Sequence, residues 1–187
     1  TNKGTGAGGK NTNISGLTWE EKTSNIKNLI DTHNFSRISL GKGKTKYYLQ
    51  KQFDDTNIIF ATQHGLKKIM KDKYSKELGW NPDESYIIQK DGNTTLKILE
   101  KKNQNQSGSV DTKLLAGPSI RESYEMSVPD DWKVEYAFCL NNFFREKIFD
   151  KDKKHILNLL EKHDIKIFYG EDDDYFTTLQ QWIGIPS

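Results

Sequence analysis

The stretch "PDESYIIQKDGNTTLKILEKK", Pro82 to Lys102, decides the fold. Two β-rich runs flank Asp91-Gly92, a dipeptide suited to the positive-φ positions of a tight hairpin turn. The pattern predicts two strands folded back on each other. Side chains along a strand alternate between faces. Leu96, Ile98, Glu100 and Lys102 therefore share one face, and Lys97, Leu99 and Lys101 the other. Glu100 continues a core-facing row, with Lys102 beside it. The turn brings Pro82-Asp83-Glu84, at the start of one strand, near the end of the other, so Asp83 and Glu100 can converge. Glu84 is expected on the opposite face, in a supporting or solvated role.

Two carboxylates and a lysine at one spot suit a hard cation. Magnesium takes oxygen ligands, usually one or two protein carboxylates with waters and a substrate phosphate. The main-chain carbonyl of Lys101 can complete the shell. Such an ion makes water acidic and polarises phosphorus, and a nearby ammonium orients that water and offsets developing charge. By itself Asp…Glu-x-Lys also describes a solvated salt-bridge ladder.

Bulk composition narrows the classes. With 187 residues the chain suits one domain. It is 29% charged, yet its 9 Phe, 8 Tyr and 4 Trp are too many for a disordered chain. Net charge is only +2, so any nucleic-acid contact must come from local clusters of lysine. The single cysteine, Cys139, excludes a disulfide framework and a thiolate zinc cage, and it sits in an apolar run as a core residue. His33, His64, His155 and His163 lack ligand spacing, which argues against zinc and against a His-centred nuclease. No apolar run approaches the ~20 residues of a membrane span, and no signal segment is visible. The expectation is a soluble, cytoplasmic protein without a membrane partner.

Residues 1–16, rich in Gly, Asn and Thr, read as a flexible arm, and 17–187 as a single domain. Gly4 to Asn11 nearly matches a phosphate-binding loop but lacks the Ser or Thr after Lys10 and a leading strand. A helix is expected over 17–33, with Trp19, Ile26, Leu29 and Ile30 on its apolar side and Thr18 and Glu21 as a capping box. Two strands around a Gly-Lys-Gly turn follow, then a basic helix ending near Gly79. "GSVDTKLLAG" starts a helix or turn, and "DWKVEYAFCLN" is a buried strand. "NNFFREKI" and "KDKKHILNLLEKHD" are helical, "IKIFYG" is a strand, and "DDYFTTLQQWIG" closes as a helix. The expected class is α/β (α+β): a central mixed sheet flanked by helices. The acidic run "GEDDDYF" is expected to serve the dipole of that last helix. Lys42, Lys44 and Lys46, interleaved with Tyr, suit a phosphate backbone. Lys113 is a further phosphate contact or simply part of a helix start, with Asp111 as its local cap.

"PDESYI", the hairpin and "ILEKKNQ" together resemble the signature of the PD-(D/E)XK nuclease superfamily. "GLTWEEKTS" is similar to that superfamily's early acidic helix. "EKKNQNQSGSVDTKL", "VEYAFCLNNFF" and "IFYGEDDDYFTTLQQWI" resemble segments of a type II restriction endonuclease group, so the likeness touches most of the chain from Leu17 to Ile183. It implies a restriction-endonuclease-like core with Asp83 and Glu100 as magnesium ligands and Lys102 as the water-positioning lysine. It also implies Gln104 near the cleaved phosphate and a helix carboxylate, for which Glu20 is favoured because it directly follows Trp19, while Glu21 has the competing capping role. Relatives often carry an Arg shortly before the Pro-Asp; here the place holds Trp80. The implied activity is magnesium-dependent, sequence-specific hydrolysis of double-stranded DNA by a homodimer, with no small-molecule cofactor. A repair or junction-resolving nuclease of the same superfamily, and a non-catalytic DNA-binding module, are the alternatives.

Overall fold

The computed structural model describes residues 18–43, 46–105, 110–149 and 153–186. The arm at 1–16, the near phosphate loop, Lys44 and the Asp111 side chain lie outside the described residues.

Seven strands form one sheet in sequential order: β1 (Ser36–Ser39), β2 (Tyr47–Gln52), β3 (Thr56–Thr62), β4 (Glu84–Lys90), β5 (Asn93–Lys102), β6 (Trp132–Leu140) and β7 (Lys166–Tyr169). β1 to β5 make an antiparallel meander, and β5, β6 and β7 run parallel. The helices are α1 (Ile26–Asp31), α2 (Gln63–Tyr74), α3 (Val110–Leu115), α4 (Gly117–Glu125), α5 (Lys154–Lys162) and α6 (Tyr175–Ile183), with a π-helical turn at Phe144–Ile148. The mixed sheet between helices is the class the sequence predicts. No helix among the described residues is long and apolar enough to cross a membrane.

The β4–β5 hairpin forms as its turn residues dictate. Lys90 pairs with Asn93 across a turn whose Asp91 (φ 50) and Gly92 (φ 77) both adopt positive φ, the geometry that follows the right-handed twist of the strands. Pleat alternation divides the sheet between two cores. Leu96, Ile98, Tyr136 and Phe138 face Leu66, Ile69 and Met70 of α2, Leu114 of α3, Tyr124 of α4 and Leu160 of α5. Tyr86, Leu99 and Cys139 face Trp19, Leu29 of α1 and Tyr175, Leu179 and Ile183 of α6. Cys139 is fully buried, and burial pushes its thiol up to about 12, which leaves it inert at neutral pH.

Two expectations need correction, and a third element gains a further role. The helix expected over 17–33 is two pieces, a helical turn at 18–22 and α1, broken at Thr23–Asn25. Thr23 Oγ1 donates to the Trp19 carbonyl at 2.8 Å, and the Asn25 N–H leaves the helical ladder to donate to Glu84 Oε1 at 3.0 Å. This side-chain competition ends the first piece. The basic helix stops at Tyr74, not near Gly79, because Ser75 turns left-handed (φ 54) and donates its N–H to Met70. The acidic run ties down a neighbour: Glu171 Oε2 accepts the Asn142 N–H at 2.7 Å, and Asp172 pairs with Arg145 at 2.6 Å. Asp174, at the start of α6, makes no capping bond through its side chain. Two elements lacked a sequence assignment, β3 and α4. β3 is central and nearly all buried, so it shows a continuous apolar run rather than alternation.

One glycine sets where the 18–22 turn docks. A Cβ on Gly170, just past β7, would stand 2.8 Å from the Trp19 ring and closer still to Thr23. Only glycine allows that approach, and it seats the turn carrying Glu20 over the ends of the strands.

Candidate functional site

β4 starts with Glu84 opposite Leu99, which sets Asp83 beside Glu100. Asp83 Oδ2 accepts the Lys101 N–H at 2.7 Å and lies 4.0 Å from Lys102 Nζ, which donates to Glu100 Oε2 at 2.7 Å. Asp83, Glu100 and Lys102 thus form one cluster at the end of the hairpin. Burial holds the Glu100 carboxyl above its ordinary range; Lys102 pulls it back, and a hydrogen-bonded Asp83 pushes it up. A strand residue turns its N–H and C=O toward the same neighbour. The Lys101 carbonyl therefore faces the side on which Asp83 lies.

Glu20, on the 18–22 turn, is half-buried. Burial and then Asp83 raise its carboxyl, and Lys101 and Lys102 partly offset them, so it belongs to the same electrostatic group. Glu21 is exposed. Gln104 is buried beyond the end of β5. The Asn141 side chain holds its backbone, accepting the Gln104 N–H at 3.2 Å and donating to its carbonyl at 2.9 Å.

A cleft of about 970 Å³ opens beside this cluster, lined by Glu20, Asp83, Glu84, Lys101, His64 and Lys68, with the exposed Lys42 and Lys46 also in its lining. Glu100 and Lys102 lie outside its lining; Asp83 is where cleft and cluster meet. Lys113 is exposed in the last turn of α3, away from the cleft lining. Along α2 the charges are partly paired, Lys68 with Asp72 at 2.6 Å and Lys71 with Glu77 at 3.5 Å, as a solvated face would be. Trp80 is 48% exposed and donates its indole N–H to Ser123 Oγ at 3.0 Å.

Sequence reasoning missed the pair behind the cluster. Glu84, expected in a supporting or solvated place, is 2% exposed and bonds Lys101 Nζ at 2.8 Å. Glu84 Oε2 also accepts from Tyr86 Oη at 2.8 Å, and Asn25 Nδ2 donates to that hydroxyl at 3.2 Å. Alternation carried the signal that Glu84 and Lys101 share a face. Nothing local marked Asn25 or Tyr86 as their partners.

Among the described residues, no three His, Cys, Asp or Glu side chains enclose a metal position by themselves. A magnesium site needs fewer, since substrate oxygens and waters fill the rest. The donors present are all oxygens, and two carboxyls in contact, with burial and Asp83 pushing the Glu100 carboxyl above its ordinary value, are a pair a divalent cation would relieve. The residues fit such an ion. No protein-family model matches the chain, and no curated protein or solved structure matches it.

Proposed function

We propose that the protein is a magnesium-dependent endonuclease of the PD-(D/E)XK type, cutting double-stranded DNA at a specific sequence as type II restriction enzymes do. The observation that carries this reading is the meeting of Asp83, Glu100 and Lys102 at the hairpin end, with Lys102 Nζ 2.7 Å from Glu100 and 4.0 Å from Asp83. Asp83, Glu100 and the Lys101 carbonyl would hold the ion, with Glu20 at hand. When bound, magnesium would polarise the scissile phosphorus and make water acidic enough to attack it near neutral pH. Lys102 would donate to that water and offset the charge growing on the phosphate. The water would give up a proton to solvent as its oxygen bonds phosphorus in line, the P–O3′ bond would break, and the departing 3′ oxygen would take up a proton from solvent. Lys42 and Lys46, in the cleft lining with Asp83, would engage the backbone, with Lys113 as a further contact outside the cleft. A palindromic target would be met by two copies related by a two-fold axis, in the cytoplasm.

The test is incubation with a long DNA in magnesium and mapping of the ends, with calcium as control. Discrete ends that vanish in Glu100→Ala are expected. Cutting confined to branched or damaged DNA would move the reading to a repair nuclease. Equal cutting by Glu100→Ala would leave an inert DNA-binding module.

A further inference from the structure

We infer that the buried Glu84–Lys101 ion pair is the positioning device for the Glu20 carboxylate; its functional consequence rests on the nuclease reading above. Lys101 alternates with Lys102 on β5 and points to the opposite face, where its side chain is 2% exposed. Its ammonium spans two elements. It bonds Glu84 Oε1 on β4 at 2.8 Å and donates to the main-chain carbonyl of Glu20 at 3.2 Å. Glu84 Oε1 in turn accepts the Asn25 N–H at 3.0 Å. The pair therefore grips the broken helix at both ends of its break, at Glu20 in the first piece and at Asn25, which caps the second. The Lys101 backbone meanwhile donates to Asp83. One residue thus fixes Asp83 through its main chain and the Glu20 turn through its side chain.

A hydrophobic contact could hold the turn against the sheet, and Trp19 does so. It could not set the turn's rotation or its height above Asp83. Hydrogen bonds to defined carbonyl and amide groups do that, because they are directional. A buried ion pair is weak evidence for stability, since apolar replacements often hold a fold as well. Its directional grip on an acidic turn is what an apolar pair could not reproduce. Groups that orient a ligand without touching the metal typically change affinity or activity by roughly ten- to a hundredfold when removed.

The test is the double substitution Glu84→Gln with Lys101→Met. It removes both charges together, keeps an oxygen for the Asn25 amide, and leaves the Lys101 backbone in place. Three quantities are read: thermal midpoint, calcium affinity by titration calorimetry, and amide hydrogen exchange over residues 18–25. We expect a midpoint near that of the parent, calcium binding weakened roughly tenfold or more, and faster exchange confined to 18–25. In cleavage, kcat should fall while KM for DNA holds. Parent-like calcium affinity and exchange in the folded double variant would overturn the proposal. If the double variant does not fold, Glu84→Gln with Lys101→Leu, a second charge-free pair, is read the same way. If the parent itself neither binds calcium nor cuts DNA, the nuclease reading falls, and exchange over 18–25 still decides whether the pair holds the turn.

Discussion

Asp83 and Glu84 are neighbours, as are Lys101 and Lys102, yet the pleat sends one acid and one amine to each side of the hairpin end. On one side Glu84 and Lys101 are 2% exposed, and Glu84 accepts bonds from Lys101, Asn25 and Tyr86. On the other, Asp83, Glu100 and Lys102 are partly open and two carboxyls share one ammonium; the cleft meets this side only at Asp83, while Glu84 and Lys101 stand in its wall. The same residue types became a buried structural joint at the cleft wall and a partly exposed, electrostatically unsettled cluster. The difference lies in donors: Glu84 accepts from Lys101, Asn25 and Tyr86, whereas Glu100 shares the Lys102 ammonium with Asp83.

The largest effect should come from breaking the buried side. Glu84→Ala leaves Lys101 buried without its anion and should cost about 3–5 kcal/mol of stability by urea denaturation. Glu100→Ala, which leaves the Lys102 ammonium to Asp83, should destabilise less than Glu84→Ala while lowering cleavage on the order of 10²–10³-fold or more. If both substitutions destabilise alike, the two sides are not different in kind.

Two tyrosines sharpen the contrast. Tyr86 Oη is tied to Glu84 and Asn25, whereas Tyr124 Oη is buried with no hydrogen-bond partner and feels Glu100 and Asp83. Tyr86→Phe should destabilise by about 1–3 kcal/mol, and Tyr124→Phe should be neutral or slightly stabilising. Chemical denaturation of the pair of variants checks the opposite signs.

Acidity separates the sides as well. The Glu100 and Glu20 carboxyls lie above their ordinary value of 4.5, chiefly because burial disfavours the charged form. The folded chain therefore holds these protons more tightly than the unfolded chain. The stability they lend is fully present below pH 4.5 and is lost as pH rises through the folded values. Thermal midpoints in chelator should fall across that window, and Glu100→Gln or added calcium should flatten the fall. A midpoint that climbs there instead would place the carboxylates among satisfied partners.

The smallest effects belong to the exposed lysines of the cleft. Lys42→Ala and Lys46→Ala should each reduce the salt slope of DNA binding by about 1, with little change in sequence preference. Lys71→Ala, whose ammonium is exposed and pairs with Glu77, should leave the slope unchanged in the same filter-binding series.

The hairpin, its turn, the faces of β5 and the meeting of Asp83 with Glu100 follow from the sequence, because alternation and turn chemistry act over a few residues. The buried fate of Cys139 was legible for the same reason. Tertiary structure alone decided three things. Asn25 breaks the first helix because its amide meets a carboxylate 59 residues away. Lys42 and Lys46 share a cleft with Glu20 because β1 and β2 bring them to α2 and the 18–22 turn. Glu84 is an ion-pair anion, not a solvated one, because Lys101, Asn25 and Tyr86 close over it. Periodicity tells which way a side chain points; what waits for it there depends on segments far apart in the chain.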